Sequence, residues 1–408
     1  MGEIVTIGEL GHSGDGIAVT ADGPIYVPLT LPGEEVEIER VGNRGRLGRI
    51  LKPSPDRVPP ACRHFGACGT CAVEHMERSA YLAWKRSLVV TAFAQRGIAA
   101  DVEPVVAIGL GSRRRAIFSA VKGTRGVVLG FHRRGGHEIV GIEECAVLVP
   151  QIVAKLPAFR DIARIVLRPG KPGRVFVVAA SNGLDVTVEG GRKLDRPALE
   201  ALSRFAVDGT IARLIVDGAE VFLNRRPELT AGAATLFPVP GGFLQAAAAA
   251  EDSLAAAVLN HVGAAAPVAD LFAGIGTFTL RLATRSPVTA VEGEASLIAA
   301  LDEAVRRSTG IKAVTARKRD LFQNPLAPIE LAAFKALVFD PPAAGAKAQA
   351  EALAASKVQK VVAVSCNPAT LARDARILVD GGYRLTRVLP VDQFLFSAEV
   401  EVVATVER

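Results

Sequence analysis

The segment KVVAVSCNPATLARD, residues 360–374, places a thiol where a nucleophile would act. A β-branched apolar run ends at Ser-Cys-Asn-Pro, which predicts a short buried strand with Cys366 at its tip. A free cysteine is often a small buried hydrophobe. A cysteine at the carboxyl end of a strand can also be a nucleophile, because open α/β sheets bind ligands at that edge. The run alone leaves both interpretations open.

Acidic residues mark the ends of several predicted strands in the C-terminal half. Asp270 opens DLFAGIG, a glycine loop without the third glycine of the dinucleotide fingerprint, and Glu292, Asp320 and Asp340 end the next three predicted strands. An acid after the second strand can accept both ribose hydroxyls of an adenosine. Since no phosphate-binding lysine accompanies the loop, the pattern favours S-adenosylmethionine over NAD or ATP. The alternative is an ordinary α/β enzyme with acids at helix N-caps.

Four of the five cysteines form a candidate metal site: Cys62, Cys68, Cys71 and, far downstream, Cys145. An odd, sparse set of cysteines argues against a disulfide framework. Four thiolates suit either a [4Fe–4S] cluster or structural zinc. Zinc sites usually contain two Cys-x2-Cys pairs and this chain has one, so the spacing favours iron–sulfur. We expect the nearby His64 and His75 to be surface residues rather than ligands.

Three regions of the sequence differ in pattern and predict a multidomain α/β protein. Residues 1–55 alternate short β-like runs with glycine turns, which predicts a small β-barrel. Residues 56–237 are mixed α/β, with the cysteines and a predicted helix within 72–97. Residues 238–408 alternate strands and helices, which is typical of a doubly wound, Rossmann-like parallel sheet. This last region must position Cys366 and the strand-end acids.

The charge distribution favours a polyanionic partner. The formal net charge is +6; residues 110–137 hold seven Lys or Arg and no acid, and residues 40–57 hold six against one acid. Clustered arginines beside glycine turns suit phosphate backbones, although a solvated surface is the simpler interpretation. No basic region followed by an apolar core opens the chain, and the longest apolar stretch is interrupted by polar residues and proline. We therefore expect a cytoplasmic protein without a membrane span.

The motifs together resemble one family, the RNA 5-methyluridine methyltransferases. The resemblance is carried by FLQ at residues 243–245, DLFAGIGTFTL at 270–280, VEG at 291–293, FDPPAAG at 339–345 and SCNPATLARD at 365–374. The closing VDQFLFSAEVEVVATVER also matches, with a changed middle. The N-terminal region resembles the family's TRAM domain, an OB-like RNA-binding barrel, and CRHFGACGTC resembles its iron–sulfur motif. The resemblance therefore covers nearly the whole chain and is typical of the 23S rRNA members.

The resemblance implies covalent catalysis on uracil. Carbon 5 of uracil is a poor nucleophile, but a thiolate that adds at carbon 6 makes an enolate whose carbon 5 can attack a sulfonium methyl group. A base must then remove the carbon 5 proton so that the thiolate is eliminated. Cys366 matches the family nucleophile. By resemblance the target uridine is flipped out of its stack to reach it.

The base is assigned by resemblance to the segment FLFSAEVE. The family has Phe-Pro-His-Thr followed by His-Val-Glu; here Leu395 replaces Pro, Phe396 replaces His and Ser397 replaces Thr. Glu401 then falls on the family glutamate and Glu399 on the histidine. The resemblance therefore implies that Glu401 is the base. We expect Glu399 to point to the same side of one strand, since the two residues are two positions apart.

The family's cofactor positions fall on six residues of this chain, namely Gln245, Phe272, Thr277, Glu292, Asp320 and Asp340. Three residues depart from the family pattern. Ala273 replaces a usual cysteine, which is a packing change. Ala343 replaces the usual arginine after Asp-Pro-Pro, and Ala247 replaces a usual asparagine, which puts RNA or cofactor positioning in doubt.

The resemblance implies an enzyme that uses S-adenosylmethionine and carries a [4Fe–4S] cluster. Its partner is structured RNA, with 23S rRNA preferred because a TRAM-like barrel and a cluster accompany the rRNA members; we expect a monomer. A tRNA 5-methyluridine methyltransferase stays open. So does a catalytically weak RNA-binding relative, which Ala343 and the altered FLFSAEVE suggest. A DNA or small-molecule methyltransferase would have no need of the barrel.

Overall fold

The N-terminal region forms a sheet of six short strands. The computed structural model describes residues 2–408. The strands are β1 (Glu3–Thr6), β2 (Glu9–Leu10), β3 (Gly16–Thr20), β4 (Gly23–Val27), β5 (Glu35–Val41) and β6 (Arg44–Lys52), in the order β1-β5-β6-β4-β3-β2. β1 pairs with β5, while β2, which follows β1 after a bend, pairs with β3. The continuous segment 3–10 thus joins the two edges of the sheet and closes it into a small barrel.

The central region is built on a seven-stranded sheet. Its strands are β7 (Arg115–Gly123), β8 (Gly126–His132), β9 (Ile139–Gly141), β10 (Pro172–Ala180), β11 (Gly183–Glu189), β12 (Ile211–Val216) and β13 (Ala219–Leu223), in the order β13-β12-β11-β10-β7-β8-β9. Three helices belong to this region: α2 (Pro150–Val153), α3 (Leu156–Val166) and α4 (Arg196–Val207). The apolar face of α3 and Leu202 and Phe205 of α4 pack into one core with the sheet. A short hairpin, β14 (Leu229–Ala231) and β15 (Ala234–Leu236), follows.

The C-terminal region is a mostly parallel sheet with helices between its strands. The strands are β16 (Val268–Leu271), β17 (Val288–Glu292), β18 (Val314–Lys318), β19 (Ala336–Phe339), β20 (Lys360–Ser365), β21 (Arg384–Val391) and β22 (Glu401–Glu407). The helices are α5 (Ala248–Val262), α6 (Thr279–Ala283), α7 (Ala295–Arg307), α8 (Pro328–Leu331), α9 (Lys347–Ala354) and α10 (Pro368–Asp380). The sheet order is β18-β17-β16-β19-β20-β22-β21. The predicted strand and helix alternation is therefore present.

The strand order places a crevice at the carboxyl edge of this sheet. β16 pairs in parallel with β17 on one side and with β19 on the other, so the chain reverses its direction of winding at β16. Where the winding direction reverses, the loops after two neighbouring strands turn toward opposite faces of the sheet, and a crevice opens between them. β22 enters antiparallel between β20 and β21. The start of β22 therefore lies at the same edge as the ends of the parallel strands.

The helix predicted within 72–97 packs on the C-terminal sheet domain rather than on the central sheet. It is α1 (Arg78–Ala94), and its Val89 and Phe93 lie in one core with Leu371 and Leu378 of α10. The chain after α1 stays there, since Val102 and Val106 bridge to β21. The sequence predicted this helix but carried no information on its packing partner. Within the described residues, no helix is both long and apolar enough to span a membrane.

Candidate active site

A cavity of about 460 Å³ opens at the carboxyl edge of the C-terminal sheet. All eight residues predicted for catalysis and cofactor binding line it: Gln245, Phe272, Thr277, Glu292, Asp320, Asp340, Cys366 and Glu401. Asp340 and Cys366 directly follow β19 and β20, whereas Glu401 opens β22. The fold thus gathers into one crevice residues that are widely separated in the sequence.

Strand pairing brings Cys366 and Glu401 together. Ser365, the last residue of β20, pairs with Val402 of β22. Because the two strands run antiparallel, the residue after Ser365 and the residue before Val402 leave the ladder at the same end. Those residues are Cys366 and Glu401. A thiol and a carboxyl group thus face one cavity. Nucleophilic addition requires the first of these groups, and proton removal requires the second.

The Cys366 side chain is protonated at neutral pH in the free protein. Burial, together with the nearby carboxylates of Glu401, Asp340 and Glu399, raises the pKa of this thiol to about 11. A thiolate forms readily only where a positive charge offsets such effects. The cavity by itself therefore holds the nucleophile in its inactive form.

Two carboxyl groups of the cavity share an anionic environment. Glu401 is almost fully buried, and burial, together with the charge of Asp340, raises its pKa well above the ordinary value. Burial also raises the pKa of Asp340 to about 7, while a hydrogen bond from Gln245 Nε2 to Asp340 Oδ2 (3.0 Å) opposes this rise. A raised pKa makes the Glu401 carboxylate a better proton acceptor than an ordinary glutamate, which is what a general base requires.

The Glu292 carboxylate is held by three backbone N–H groups. Its Oε2 accepts from Gly274 N (3.0 Å), and its Oε1 accepts from Gly293 N (2.6 Å) and Glu294 N (2.9 Å). Gly274 has φ of 56°, a conformation that favours glycine, so the glycine loop can turn back onto the end of β17. The carboxylate is therefore fixed at the mouth of the cavity with lone pairs left for hydroxyl donors.

Asp320 and two aromatic rings line the neighbouring part of the cavity. Asp320 Oδ1 accepts from Phe322 N (2.9 Å), which forms a tight turn after β18. The Phe322 ring is 51% exposed and lies 5.4 Å from the Phe272 ring, centroid to centroid. An exposed aromatic ring at a cavity wall offers a face to a planar ligand such as adenine. Phe322 was not predicted, because the sequence around a single Phe does not distinguish a ring at a cavity wall from a ring in the core.

Asp270 does not belong to the cavity, contrary to its prediction as the first of four strand-end acids. It lies within β16, one residue before the strand ends, and is 1% exposed. Its Oδ2 accepts a hydrogen bond of 2.5 Å from Thr279 Oγ1 of α6, and burial raises its pKa to about 7. Side chains alternate between the two faces of a sheet along a strand. An acid one residue before the strand end therefore packs on a face of the sheet, here against α6, instead of reaching the carboxyl edge.

Glu399 does not share a strand with Glu401, contrary to the prediction. β22 begins at Glu401, and Glu399 is exposed in the preceding loop. The physical reason is the turn at Phe396, whose φ of 60° interrupts the extended backbone that the alternation argument assumed.

The loop before β22, residues 392–400, is braced by helix α1. The fully buried Lys85 Nζ forms an ion pair with Asp392 Oδ1 (3.0 Å) and donates to the carbonyl oxygens of Phe394 and Glu399. Tyr81 OH donates to Asp392 and accepts from Phe396 N (2.9 Å). A buried lysine is stable only when paired and fully hydrogen-bonded. The brace therefore holds the backbone that leads into Glu401.

The four predicted metal-site cysteines, Cys62, Cys68, Cys71 and Cys145, line a second, small cavity. Phe65, Phe131 and Ile142 supply its apolar walls. Burial raises the pKa of the Cys71 and Cys145 thiols. Within residues 2–408, no three His, Cys, Asp or Glu side chains converge closely enough to hold one metal ion. The thiols thus face a shared space rather than a single point.

His75 is buried, contrary to the prediction of a surface residue. It is 1% exposed, its ring lies 5.1 Å from the Phe65 ring between centroids, and neither ring nitrogen has a hydrogen-bond partner. Burial lowers its pKa to about 4, so the ring is neutral and packs as an apolar group. His64 instead accepts a hydrogen bond from Glu143 N (3.1 Å) at its Nε2.

Three of the six arginines of residues 110–137, namely Arg114, Arg133 and Arg134, pair with acids. Arg114 is buried and pairs with Glu251 (2.6 Å), and Arg134 pairs with Asp15 (2.8 Å). Charge counting along the sequence does not show which arginines have partners inside the fold. The exposed basic side chains of β6, Arg44, Arg46 and Arg49, extend into solvent from the N-terminal barrel, although each pairs with an acid.

The three departures from the family pattern lie in different settings. Ala273 lines the cavity and packs with Leu280 and Leu301, which fits a packing role. Ala343 lines the cavity, and its carbonyl accepts from Thr370 Oγ1 (3.1 Å). Ala247 is fully buried at the start of α5, outside the cavity wall.

Comparison with known proteins decides the family. A profile of the tRNA (uracil-5-)-methyltransferase family matches residues 239–408. The chain is 48% identical over 404 residues to an uncharacterized RNA methyltransferase of Brucella suis, covering 99% of this chain and 97% of that protein. It is 33% identical over 429 residues to the 23S rRNA (uracil(1939)-C(5))-methyltransferase RlmD of Chromohalobacter salexigens, covering 99% of this chain and 89% of that protein. The chain belongs to the RNA uracil-C5 methyltransferase family.

A solved structure of this family has the same overall fold. The tRNA (uracil-54, C5)-methyltransferase of Pyrococcus abyssi, in complex with S-adenosyl-L-homocysteine, superimposes with a TM-score of 0.76 at 21% sequence identity. The match covers 99% of both chains. The two chains therefore share the fold of all three regions, and not only that of the methyltransferase domain.

Proposed function

We propose that this protein transfers a methyl group from S-adenosylmethionine to carbon 5 of a uridine in structured RNA, with 23S rRNA as the preferred substrate. The observation that carries the proposal is the position of Cys366 and Glu401, which face one cavity from the adjacent ends of β20 and β22. Asp340 and Gln245 line the same cavity as this pair and the proposed adenosine-binding residues.

Cys366 supplies the nucleophile in this mechanism. Its thiolate adds to carbon 6 of the uracil ring, and the electron pair of the 5,6 double bond moves into an enolate. Carbon 5 then takes the methyl group, and the sulfonium sulfur leaves as a neutral thioether. A sulfonium bound in the same cavity as Cys366 would offset the carboxylates that raise the thiol's pKa. Cofactor binding thus favours the reactive thiolate.

Glu401 completes the reaction. After methyl transfer, carbon 5 carries both the new methyl group and its original proton. The Glu401 carboxylate removes that proton, the double bond re-forms, and the Cys366 thiolate is expelled. Because Glu401 is buried with a raised pKa, its carboxylate is a stronger base than an exposed glutamate. Glu399, exposed in the loop, has no such environment.

The cofactor is held by the other lining residues. Glu292, fixed by three N–H groups, accepts from the ribose hydroxyls. Asp320 accepts from the adenine amino group, and the rings of Phe272 and Phe322 cover the base. Thr277 and Gln245 line the same cavity. The binding of adenosine without a phosphate group follows from acids, rather than lysines, at the strand ends.

The residues of the second cavity fit a [4Fe–4S] cluster. Four thiols face one space with apolar walls, and the chain has a single Cys-x2-Cys pair where zinc sites usually contain two. Cys62, Cys68, Cys71 and Cys145 would ligate the cluster, which would supply a rigid covalent link between residues 62–71 and the segment after β9. Ala72 N (2.7 Å) and Val73 N (3.1 Å) donate to Phe396 O of the braced loop. The cysteine segment thus supports the loop that leads into Glu401.

Anaerobically purified protein is therefore expected to be brown and to contain iron and sulfide, and Cys68→Ser is expected to lose both. Metal and sulfide analysis with visible absorption spectroscopy measures this. Cys366→Ser is the matched control, since it removes a thiol outside the second cavity and should retain the iron. Stoichiometric zinc in a colourless wild-type protein would contradict the assignment.

The choice of RNA rests on the relatives. The 23S rRNA methyltransferase of Chromohalobacter salexigens is closer in sequence, at 33%, than the Pyrococcus abyssi tRNA methyltransferase, at 21%. The N-terminal barrel, which we propose as an OB-like TRAM module, exposes Arg44, Arg46 and Arg49 for backbone contacts.

Transcribed 23S rRNA is expected to accept labelled methyl groups at least ~10-fold faster than a tRNA pool, since even one wrong base pair in a protein–DNA recognition site typically costs about 1–3 kcal/mol. Filter-binding counts over time measure the two rates. Faster labelling of tRNA would move the assignment to tRNA. RNA binding without labelling of either substrate would favour the catalytically weak relative.

A further inference from the structure

We propose that Gln393 is a positioning residue that orients Glu401 and joins it to Asp340 through Gln245. This inference rests on the proposed function, because it assigns a role in the step that releases the methylated uridine. Gln393 is 2% exposed and follows β21 by two residues. It is not among the residues that line the cavity, so its influence on the substrate passes through Glu401 and Gln245.

The backbone fixes which way the Gln393 amide points. Its Oε1 accepts a hydrogen bond from Ala246 N (3.1 Å), so its Nε2 must face the other side. Nε2 donates one hydrogen to Glu401 Oε2 (2.5 Å) and the other to Gln245 Oε1 (2.8 Å). Both N–H groups of the Gln393 amide are therefore used. A flipped amide would place its carbonyl oxygen against the acceptor oxygens of Glu401 and Gln245, where no hydrogen bond could form.

Gln245 extends the series of hydrogen bonds from Gln393 to Asp340. Since its Oε1 accepts from Gln393, its Nε2 faces Asp340 and donates to Oδ2 (3.0 Å). Two amides thus connect two carboxyl groups, and each carboxyl group receives one N–H. The hydrogen bond to Glu401 Oε2 leaves Oε1 of this carboxylate for the substrate proton. The base is therefore held by one oxygen and reacts with the other.

The donated hydrogen bond favours the ionised form of Glu401. Three groups that face Glu401 oppose ionisation: Asp340 after β19, Cys366 after β20 when it is a thiolate, and Glu399 in the loop before β22. Burial acts in the same direction. The Gln393 N–H is the contact that counteracts them, because a hydrogen bond to a carboxylate lowers its pKa. Without it, Glu401 would stay protonated to a higher pH and could not accept the uracil proton.

Gln393→Met tests this role, because it keeps the length of the side chain and removes both donors. Single-turnover reactions between pH 6 and 9 would follow formation and decay of the methylated protein–RNA adduct on denaturing gels. The adduct should form at a rate within several-fold of wild type. Its decay at pH 7 should slow by about 10- to 100-fold, and the pH midpoint of decay should rise by about one to two units, the worth of a hydrogen bond to a charged group.

Two further variants separate positioning from folding. Gln349→Met removes another buried amide, which bonds to the backbone of Leu326 away from the cavity, and should leave the midpoint unchanged. Gln393→Glu keeps the shape of the side chain but cannot donate once ionised, so it should raise the midpoint at least as far as Gln393→Met. A wild-type pH profile in whichever of the two Gln393 variants folds would overturn the proposal. If wild-type protein forms no methylated adduct with RNA, the proposed function fails instead.

Discussion

Glu401→Gln is expected to form the methylated Cys366–uridine adduct and then to stall. Glutamine is nearly isosteric with glutamate and still accepts the hydrogen bond from Gln393, so cofactor and RNA binding should change little. It cannot take the carbon 5 proton, so elimination of the thiolate is blocked. Loss of a general base costs about 10²- to 10⁴-fold in turnover. A slow-migrating protein–RNA band that carries labelled methyl should accumulate on denaturing gels.

Glu399→Gln is the matched control for that prediction. It makes the same chemical change two residues away, in the exposed loop before β22, and should turn over without accumulating the adduct. Its expected effect is small and indirect, because it removes one of the charges that raise the pKa of Cys366 and Glu401. Accumulation of the adduct in Glu399→Gln, but not in Glu401→Gln, would show that the base is Glu399.

Cys366→Ala is expected to abolish methyl transfer while S-adenosylmethionine still binds. The thiol acts on the uracil ring, whereas the proposed adenosine-binding residues lie at the end of β17 and on the loops after β16 and β18. Removing a covalent nucleophile lowers turnover by about 10⁴-fold or more. Calorimetric titration with the cofactor measures binding, and transfer of labelled methyl to RNA measures activity.

Cys366→Ser strengthens the test, because it preserves the size of the side chain and replaces the thiol by a much weaker nucleophile. It should be as inactive as Cys366→Ala and should form no adduct. Normal turnover in either variant would remove Cys366 from the mechanism. Loss of cofactor binding together with activity would instead indicate a structural role at the end of β20.

The sequence patterns predicted the C-terminal architecture well because they report burial and strand ends directly. Apolar runs bounded by Gly, Pro or acids placed the strands, and their ends gave Glu292, Asp340 and Cys366 at one edge. The proximity of Cys366 and Glu401 could not be predicted from apolar runs and strand ends. It depends on the antiparallel entry of β22 beside β20, and the family resemblance, not the periodicity, pointed to Glu401.

The wrong predictions share a physical cause. A sequence pattern indicates whether a residue is buried or polar, but it does not show which other residues that residue contacts. Asp270 lies one residue short of the strand end and is buried under α6. Arg114 belongs to a buried ion pair rather than to an open surface. Gln393 looks like any polar residue in a loop, and its role emerges only when Ala246, Gln245 and Glu401 surround its amide. The turn at Phe396 separated Glu399 from the strand.

Nucleoside mass spectrometry tests the central proposal most directly. The protein is incubated with transcribed 23S rRNA and S-adenosylmethionine that carries a trideuterated methyl group, and the RNA is digested to nucleosides. Transfer to carbon 5 of uridine predicts trideuterated 5-methyluridine as the labelled product, absent from a parallel reaction with Cys366→Ala. Label in any other nucleoside, or equal label in the Cys366→Ala reaction, would contradict covalent methylation of uridine carbon 5.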